Sequence, residues 1–250
     1  MKIPLNNLTF TIPVRIDSPD RMHNITYILQ YLTNNFDTNI LVYENGPVKQ
    51  LNLDSNIDYV YEQNNGAFHR TKYLNKMAKM AKTRFIANYD CDVFFPVKQL
   101  VKAYDLLQSN EVNCIYPYDG LFVNINRNVL NDFSNFDPVT LDPMKYHNFG
   151  KQSMGGALLW SRETFIEGGM ENEKFISWGA EDWERFRRFT KLGYIIGRVK
   201  GPLYHIDHSR KQDSNESNPY YQQNVLEFQK VDGMTGAQLR EYIKTWPWLS

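Results

Sequence analysis

Apolar residues near the start of the chain follow first the period of a strand and then the period of a helix. Every second residue from Phe10 to Ile16 is apolar, which predicts a strand. Ser18 followed by Pro19 is typical of a helix start, because serine caps the first turn and proline fits the first helical position. Apolar residues then recur every three or four positions as far as Leu32, which predicts a helix.

Short apolar runs alternate with helical spacing as far as Asp119. The runs NILVYEN, DYVYEQ, RFIANYD and NCIYPYD predict strands. Helical spacing from Tyr73 to Ala81 predicts one helix, and spacing from Leu100 to Leu107 predicts another that begins near Pro96. This alternation predicts an α/β fold with a doubly wound, mainly parallel central sheet flanked by helices. Such sheets bind ligands beyond the carboxyl ends of their strands.

The second half of the chain is less regular, but it contains one clear helical pattern. The segment WGAEDWERFRRFTKLGY predicts a helix that begins near Glu181. Its aromatic residues, spaced by three, predict the buried side: Trp183, Phe186 and Phe189. Its basic residues predict a solvated side: Arg185, Arg187, Arg188 and Lys191. A strand in YIIGRV and two helices follow, and the absence of a linker or repeat predicts one domain over residues 1–250.

Composition narrows the class of protein. The 28 basic residues equal the 28 acidic ones, which argues against a dedicated nucleic-acid binder because such proteins carry a basic excess. The N-terminus lacks the apolar segment of a signal peptide, and no run approaches the roughly 18 apolar residues that would span a membrane. Cys91 and Cys114 lie in separate apolar runs, which predicts buried, reduced thiols. A cytoplasmic protein is therefore expected.

Two acids, Asp90 and Asp92, stand at the end of the predicted strand RFIANYD. Asp readily forms turns, so a turn alone is one interpretation of this pair. His205 and His208 lie three residues apart in YHIDHSR, and a histidine taken alone is more often structural than a metal ligand. Together with Asp92, however, these histidines would supply the mixed oxygen and nitrogen ligands that suit Mn²⁺.

Three further features suit a charged or sugar-containing ligand. Arg15 follows the first strand, and Arg70 and Lys72 open a helix, where side chains and free backbone N–H groups bind phosphate. Ordinary surface ion pairs are the alternative for each. Glu181 and Asp182 lie in the first turn of their helix, where capping alone would explain them. The preceding tripeptide WGA joins a large ring to two small residues and would let a sugar approach both carboxylates.

In their order along the chain, these segments resemble the GT-A-fold glycosyltransferases, and most closely the beta-1,4-galactosyltransferase family. IPVR resembles that family's P-F-R element, FHRTKYLN its F-N-R-A-K-L-L-N element and YDCDVFFP its D-V-D-L-L-P segment. MGGALLWS resembles F-G-G-V-S-A-L-S, SWGAEDW resembles W-G-G-E-D-D, and HSRKQDSNESNP resembles H-S-R-D-K-K-N-E-P-N-P. Each motif alone is weak, but six in order from about Phe10 to Pro219 are strong evidence.

The resemblance implies a GT-A fold with a nucleotide-binding half (about residues 1–115) and an acceptor-binding half (about residues 116–250). It also implies an enzyme, a metal-dependent, inverting hexosyltransferase. This enzyme would move a hexose or N-acetylhexosamine, galactose-type favoured, from a UDP-sugar to a sugar hydroxyl of an oligosaccharide or lipid-linked glycan. The membrane anchor and stem of the animal enzymes are not in the sequence, so we expect a bacterial cytoplasmic form that serves surface-glycan (polysaccharide) biosynthesis. Peripheral contact with the inner membrane is an alternative.

The same resemblance assigns roles to individual residues. Asp182 is implied as the catalytic base, and the implied acceptor-binding residues are Glu181, Ala180 and Trp183. The implied metal is Mn²⁺, with Mg²⁺ as an alternative, and its implied ligands are Asp92, His208 and, where the animal enzymes have Met, His205. The implied donor-binding residues are Pro13, Arg15, Asp17, Phe68, Arg70, Asp90, Cys91, Gly155, Gly156, Trp178 and Arg210.

Departures from the family affect the expected substrates. Trp183 replaces the third acid of the W-G-G-E-D-D element, so we expect different acceptor contacts. Ser153 stands where the animal enzymes carry a bulky residue, and its small side chain would admit an N-acetyl group on the donor.

Three other functions stay open at this point. A sugar nucleotidyltransferase of similar fold would need a triphosphate-binding loop, and no glycine-rich loop lies near PVRID. A non-catalytic sugar-binding module would need no metal site. A glycosidase also uses two carboxylates, at a separation that the sequence does not give.

Overall fold

The computed structural model describes residues 2–126, 130, 147–150, 152–209 and 216–249. The strands are β1 (Ile3–Val14), β2 (Phe36–Gly46), β3 (Asp58–Gln63), β4 (Phe85–Tyr89), β5 (Val93–Phe94), β6 (Cys114–Tyr116), β7 (Phe122–Ile125), β8 (His147–Gly150), β9 (Ala157–Ser161), β10 (Ile196–Arg198) and β11 (Leu203–Ile206). The helices are α1 (Pro19–Asn35), α2 (Arg70–Met80), α3 (Val97–Gln108), α4 (Arg162–Glu167), α5 (Glu181–Lys191), α6 (Tyr221–Asp232) and α7 (Gly236–Lys244), followed by a short 3-10 helix (Pro247–Leu249).

A seven-stranded sheet has the strand order β10-β6-β9-β4-β1-β2-β3. Strand β9 is antiparallel to β4 and β6, and the other neighbours are parallel. The predicted mainly parallel α/β sheet is therefore confirmed. Strand β1 lies inside this sheet and is buried on both faces from Leu8 to Val14, so its alternating apolar residues mark only one of two covered faces. On the other face, the Thr11 hydroxyl donates a hydrogen bond to the Ala87 carbonyl oxygen at 3.0 Å.

The predicted start of α1 is confirmed by its cap. The Ser18 hydroxyl accepts a hydrogen bond from the backbone N–H of Arg21 at 3.3 Å, and Pro19 is the first helical residue. The buried side of α1 includes Ile25, Ile28 and Leu32, which pack into the main core. Because α1 starts immediately after β1, its first turn lies at the carboxyl end of that strand.

A second sheet, with the order β5-β11-β7-β8, joins parts of the chain that are far apart in sequence. Strand β5 follows Asp92 directly and pairs antiparallel with β11, so that Val93 lies opposite His205. The backbone N–H of Ile206 also donates to the carbonyl oxygen of Asp92 at 2.8 Å. This pairing places the second acid of the D-C-D segment beside the first of the two histidines.

The C-terminal helices pack against α5 and close the fold. Their apolar cluster is formed by Leu192, Val231, Leu239, Ile243 and Trp246. Trp246 is only 3% exposed, so this aromatic residue belongs to a core and not to a free surface. No helix in the described ranges is both long enough and apolar enough to cross a bilayer. Strands from both halves of the chain share the large sheet, and the single-domain interpretation stays a prediction.

Candidate active site

The carboxyl ends of the neighbouring strands β1 and β4 border a cavity of about 430 Å³. Arg15 follows β1, and its guanidinium donates to the carbonyl oxygens of Asn45 at 3.2 Å and Gly66 at 2.7 Å. The same guanidinium lies 5.6 Å from the centroid of the Phe68 ring, as in a cation–π contact. Arg15 and Phe68 thus form one wall with a fixed positive charge and an aromatic face.

Asp92, His205 and His208 converge at another part of this cavity. One ligand atom from each residue lies within 4.8 Å of the others. The Nε2 atoms of His208 and His205 are 3.4 Å and 3.8 Å from Asp92 Oδ2. Among the described residues, these side chains form a three-ligand candidate site for a metal ion.

The hydrogen bonds of the two histidines fit metal binding. His205 Nδ1 lies 2.6 Å from Asn124 Oδ1, and His208 Nδ1 lies 3.0 Å from the carbonyl oxygen of Ser209. Both partner oxygens are acceptors, so each Nδ1 carries the hydrogen. In the neutral imidazole, the Nε2 atom that faces Asp92 then keeps its lone pair, as a metal ligand must.

Arg21 is a site residue that the sequence analysis missed. Its guanidinium lies in the same cavity and donates to Asp92 Oδ2. Burial by itself raises the pKa of Asp92, but the charge of Arg21, aided by both histidines, outweighs it and holds this pKa well below its usual range. The available signal was a cation in the first turn of a helix, which is unfavourable unless an anion lies nearby.

Asp90, the first acid of the D-C-D segment, pairs with Arg70 at the start of α2. Arg70 Nε and Nη2 donate to Asp90 Oδ1 at 2.9 Å and 2.6 Å. Burial raises the pKa of Asp90, and Arg70 offsets this only in part because Asp92 and Asp182 act in the opposite direction. Arg70 lines the cavity, and its Nη1 is buried without a hydrogen-bond partner among the described residues.

Glu181 is the first residue of α5 and also lines the cavity. The preceding Ala180 has a φ of 65°, in the left-handed region, and the turn directs Glu181 back onto the chain before the helix. A Glu181 carboxylate oxygen accepts a hydrogen bond from the backbone N–H of Gly179 at 2.8 Å. Burial, together with the charge of Asp182, raises the pKa of Glu181 to about 7. Glu181 therefore changes its charge near neutral pH.

Asp182 faces the cavity with a side chain that is 31% exposed. Its Oδ1 accepts a hydrogen bond from Arg185 Nη2 at 2.6 Å. Its Oδ2 lies against Gly155, where an added Cβ atom would be 2.5 Å from that oxygen. Only glycine therefore allows the carboxylate this close to the segment that leads into β9. The ion pair and the place at the cavity give Asp182 surroundings that capping alone does not explain.

Two solved structures of Drosophila beta1,4-galactosyltransferase 7 share this architecture. One is its catalytic domain in complex with xylobiose, with a TM-score of 0.56, and the other is an Asp-to-Asn mutant in complex with manganese, UDP-Gal and xylobiose, with a TM-score of 0.59. Each is 18% identical, and each alignment covers 94% of this chain and 84% of the solved chain. This chain has the galactosyltransferase GT-A fold.

A sequence comparison points to the same family over part of the chain. The profile for the N-terminal domain of galactosyltransferase matches residues 138–211 of the chain. That segment contains the adjacent glycines Gly155 and Gly156, the acids Glu181 and Asp182, and both candidate histidine ligands. No curated protein sequence matches the chain.

Two predictions for α5 are wrong. Arg185 and Arg188 are 2% and 0% exposed, whereas a solvated side was expected for both. Each is buried because it forms an ion pair, Arg185 with Glu171 and Arg188 with Glu184. Trp183, expected in the core, is 42% exposed and lines the cavity. The first turn of α5 faces the cavity, so the aromatic residue there does not reach the core.

Most of the other predicted site residues do meet at the cavity. Besides those already described, its lining includes Pro13, Asp17, Cys91, Gly156, Trp178, Ala180 and Ser153. Cys91 and Cys114 are both buried and free, as predicted. Lys72 instead lines a different groove, beside Glu62 and His69. Arg210 lies outside the described residues.

Proposed function

We propose that the chain is a metal-dependent, inverting glycosyltransferase that moves a hexose or N-acetylhexosamine from a UDP-sugar to a sugar hydroxyl. The proposal rests on one observation, namely that a candidate metal site and a carboxylate pair border the same cavity. The site comprises Asp92, His205 and His208, and the pair comprises Glu181 and Asp182. The solved structure of the same fold that contains manganese, UDP-Gal and xylobiose supports this proposal.

Asp92, His205 and His208 would hold the divalent cation. When bound, this cation would neutralise the negative charge that develops on the leaving diphosphate. Two imidazoles and one carboxylate suit Mn²⁺ better than Mg²⁺, which prefers oxygen ligands and bound water. The guanidinium of Arg70 adds positive charge to the lining of the same cavity. Arg15 and Phe68 offer the charge and the ring face that a uridine would use.

Asp182 is our candidate for the general base. Only the attacking hydroxyl has to lose a proton, because a nucleoside diphosphate leaves without one. Asp182 is the more exposed of the two acids and presents Oδ2 beside Gly155, whereas Glu181 is only 7% exposed. Glu181 would orient the acceptor hydroxyl, and Trp178 and Trp183 offer partly exposed rings against which a sugar could lie.

Ser153 bears on the choice of donor. It lines the cavity, and its hydroxyl lies 3.2 Å from that of Tyr118. A side chain this small leaves space for an N-acetyl group, so both galactose-type and N-acetylated donors fit the proposal. The bacterial cytoplasmic setting and the surface-glycan product stay predictions from the sequence.

The exchange Asp182→Asn tests the proposed function. With Mn²⁺ and UDP-Gal or UDP-GalNAc, the wild type should release UDP as the sugar is transferred. Release should be slow when water is the acceptor and faster when a saccharide acceptor is present. Asp182→Asn should lower this rate by about 10²-fold or more, because it removes a general base, and should leave UDP binding unchanged in calorimetry. Asp105→Asn, at an exposed position of α3, is the matched control and should keep the wild-type rate.

The contrary outcomes of this experiment have different meanings. Near-normal turnover of Asp182→Asn would remove Asp182 from the base role. Release of pyrophosphate, with a nucleoside triphosphate as substrate, would indicate a nucleotidyltransferase. Sugar binding without any hydrolysis of UDP-sugars would indicate a binding module.

A further inference from the structure

Arg185 links the proposed base to the neighbouring residues Met154 and Gly155, which also line the cavity. Its Nη2 donates to Asp182 Oδ1 at 2.6 Å and to the carbonyl oxygen of Met154 at 3.2 Å. Met154 directly precedes Gly155, the residue beside which Asp182 Oδ2 lies. One guanidinium group therefore contacts both the carboxylate and the backbone next to it.

Arg185 is in turn held from the sheet side. Its Nη1 donates to both carboxylate oxygens of Glu171, at 3.0 Å and 3.1 Å, and both residues are at most 2% exposed. Glu171 accepts a hydrogen bond from Asn88 of β4 at 3.1 Å, and its backbone N–H donates to Asn75 of α2 at 2.8 Å. A continuous polar chain thus runs from the central sheet through Arg185 to Asp182.

We propose that Arg185 is a positioning residue for Asp182. It occupies Oδ1 and directs Oδ2 to the cavity, which specifies Oδ2 as the oxygen that accepts the proton. This inference rests on the proposed function. The three groups Glu171, Arg185 and Asp182 carry two negative charges and one positive, so the arginine fixes the base without neutralising it fully. A shift of about 1 Å in a catalytic group can cost about 10²-fold in rate, so the tether matters for turnover.

The same helix supplies a matched control. Arg188 is 0% exposed and its Nε donates to Glu184 at 2.7 Å, while its other donors reach the carbonyl oxygens of Gly168 and Met170. None of these four residues lines the cavity. Two arginines of α5 therefore form buried ion pairs with glutamates, and of these two arginines only Arg185 contacts the proposed base.

The experiment uses two double variants, each of which replaces both partners of one buried ion pair. The Arg185 pair variant combines Arg185→Met with Glu171→Gln, and the Arg188 pair variant combines Arg188→Met with Glu184→Gln. Removing both partners avoids a lone buried charge, which would strongly destabilise the fold. Below the melting temperatures of both variants, the Arg185 pair variant should lose about 10- to 100-fold in kcat with Kd for UDP and Mn²⁺ within about two-fold of wild type. The Arg188 pair variant should keep kcat within about two-fold.

Two results would overturn the proposal, equal losses of kcat in both pair variants or full kcat in the Arg185 variant. If a pair variant does not fold, Arg185→Lys and Arg188→Lys serve the same comparison. An ammonium group cannot reach both carboxylates with the fork geometry of a guanidinium, so only Arg185→Lys should lose kcat, by about five-fold or more. Wild-type kcat in a folded Arg185→Lys would contradict the positioning role.

A crystal structure of the Arg185 pair variant separates this inference from the proposed function. Asp182 should leave its place beside Gly155 in that variant and keep it in the Arg188 variant. An unmoved Asp182 would refute the positioning role even if turnover had changed. If the wild type releases no UDP from any UDP-sugar, the proposed function fails, and the two crystal structures still decide what holds Asp182.

Discussion

Asp92 and Glu181 are buried acids at one cavity, yet their surroundings shift their pKa values in opposite directions. Burial raises the pKa of both carboxyls. At Asp92 the charge of Arg21, aided by both histidines, outweighs burial, whereas at Glu181 the charge of Asp182 adds to the effect of burial. Titratable groups whose environments move their pKa values apart are typical of functional sites, and here they separate a permanent anion from a carboxyl that titrates near neutrality.

The raised pKa of Glu181 has a consequence for stability. Below about pH 4.5 Glu181 is protonated in both the folded and the unfolded chain, so it adds no pH dependence there. Between this pH and its folded pKa of about 7, the unfolded chain has lost the proton that the folded chain still holds, so stability falls as pH rises. Above about pH 7 the full cost of a buried charge is present.

Glu181→Gln should remove this cost. The free energy of unfolding of the variant, relative to wild type, should be higher at pH 8 than at pH 5 by about 1 to 3 kcal/mol, because glutamine stays neutral. Urea titrations at the two pH values measure the difference. Glu241→Gln, at an exposed position of α7, is the control and should show no such change. An equal effect of Glu181→Gln at both pH values would contradict the raised pKa.

At the scale of elements, the first turn of α1 connects a local sequence signal to the site. The Ser18 cap holds the backbone N–H of Arg21, and the side chain of Arg21 reaches Asp92. Ser18→Ala removes the capping oxygen and should cost about 1 kcal/mol of folding free energy. For a chain of this length, that corresponds to a fall in Tm of about 2 to 4 °C in a thermal scan.

Ser18→Asp provides the control for that substitution. Aspartate also caps helices, so this variant should keep the wild-type Tm. An equal loss in both variants would show that the serine hydroxyl acts through contacts other than the cap.

The two best-patterned helices show what sequence periodicity can and cannot predict. The start of α1 was predictable because a cap and a proline act locally, whatever the helix packs against. The sides of α5 were not, because periodicity treats every arginine as solvated and cannot see the carboxylates of Glu171 and Glu184 that meet Arg185 and Arg188 inside the fold. Trp183 was misplaced for a related reason, since the pattern does not show where a cavity interrupts the core.

For the candidate site, the sequence predicted the motif residues but not the residues that support them. Motif residues such as Asp92 and Asp182 meet at one cavity, as expected for loops at the carboxyl ends of parallel strands. The residues that support them belong to none of the recognised motifs: Arg21, Asn124 and Arg185. Their roles depend on the pairing of β5 with β11 and on the packing of α5, which a single sequence does not give.

At the scale of the whole molecule, the cavity draws on both halves of the chain. Arg15, Arg70 and Asp92 come from the first half, and Asp182 and His208 come from the second. A ligand that binds across them stabilises only the folded arrangement, and saturation to about 100 times Kd adds about 2.7 kcal/mol. UDP and Mn²⁺ together should therefore raise Tm by about 5 to 10 °C.

Each component alone should raise Tm much less, because the diphosphate and the metal site are expected to complete each other's coordination. EDTA should remove the part of the Tm shift that requires both UDP and Mn²⁺. GDP or dTDP should give a smaller Tm shift than UDP if Arg15 and Phe68 select the nucleotide base. Asp92→Ala should lose the Mn²⁺-dependent shift, whereas Asp105→Ala, at an exposed position of α3, should retain it. A UDP shift that is as large in EDTA as in Mn²⁺, for the wild type, would show that nucleotide binding does not involve the three candidate ligands.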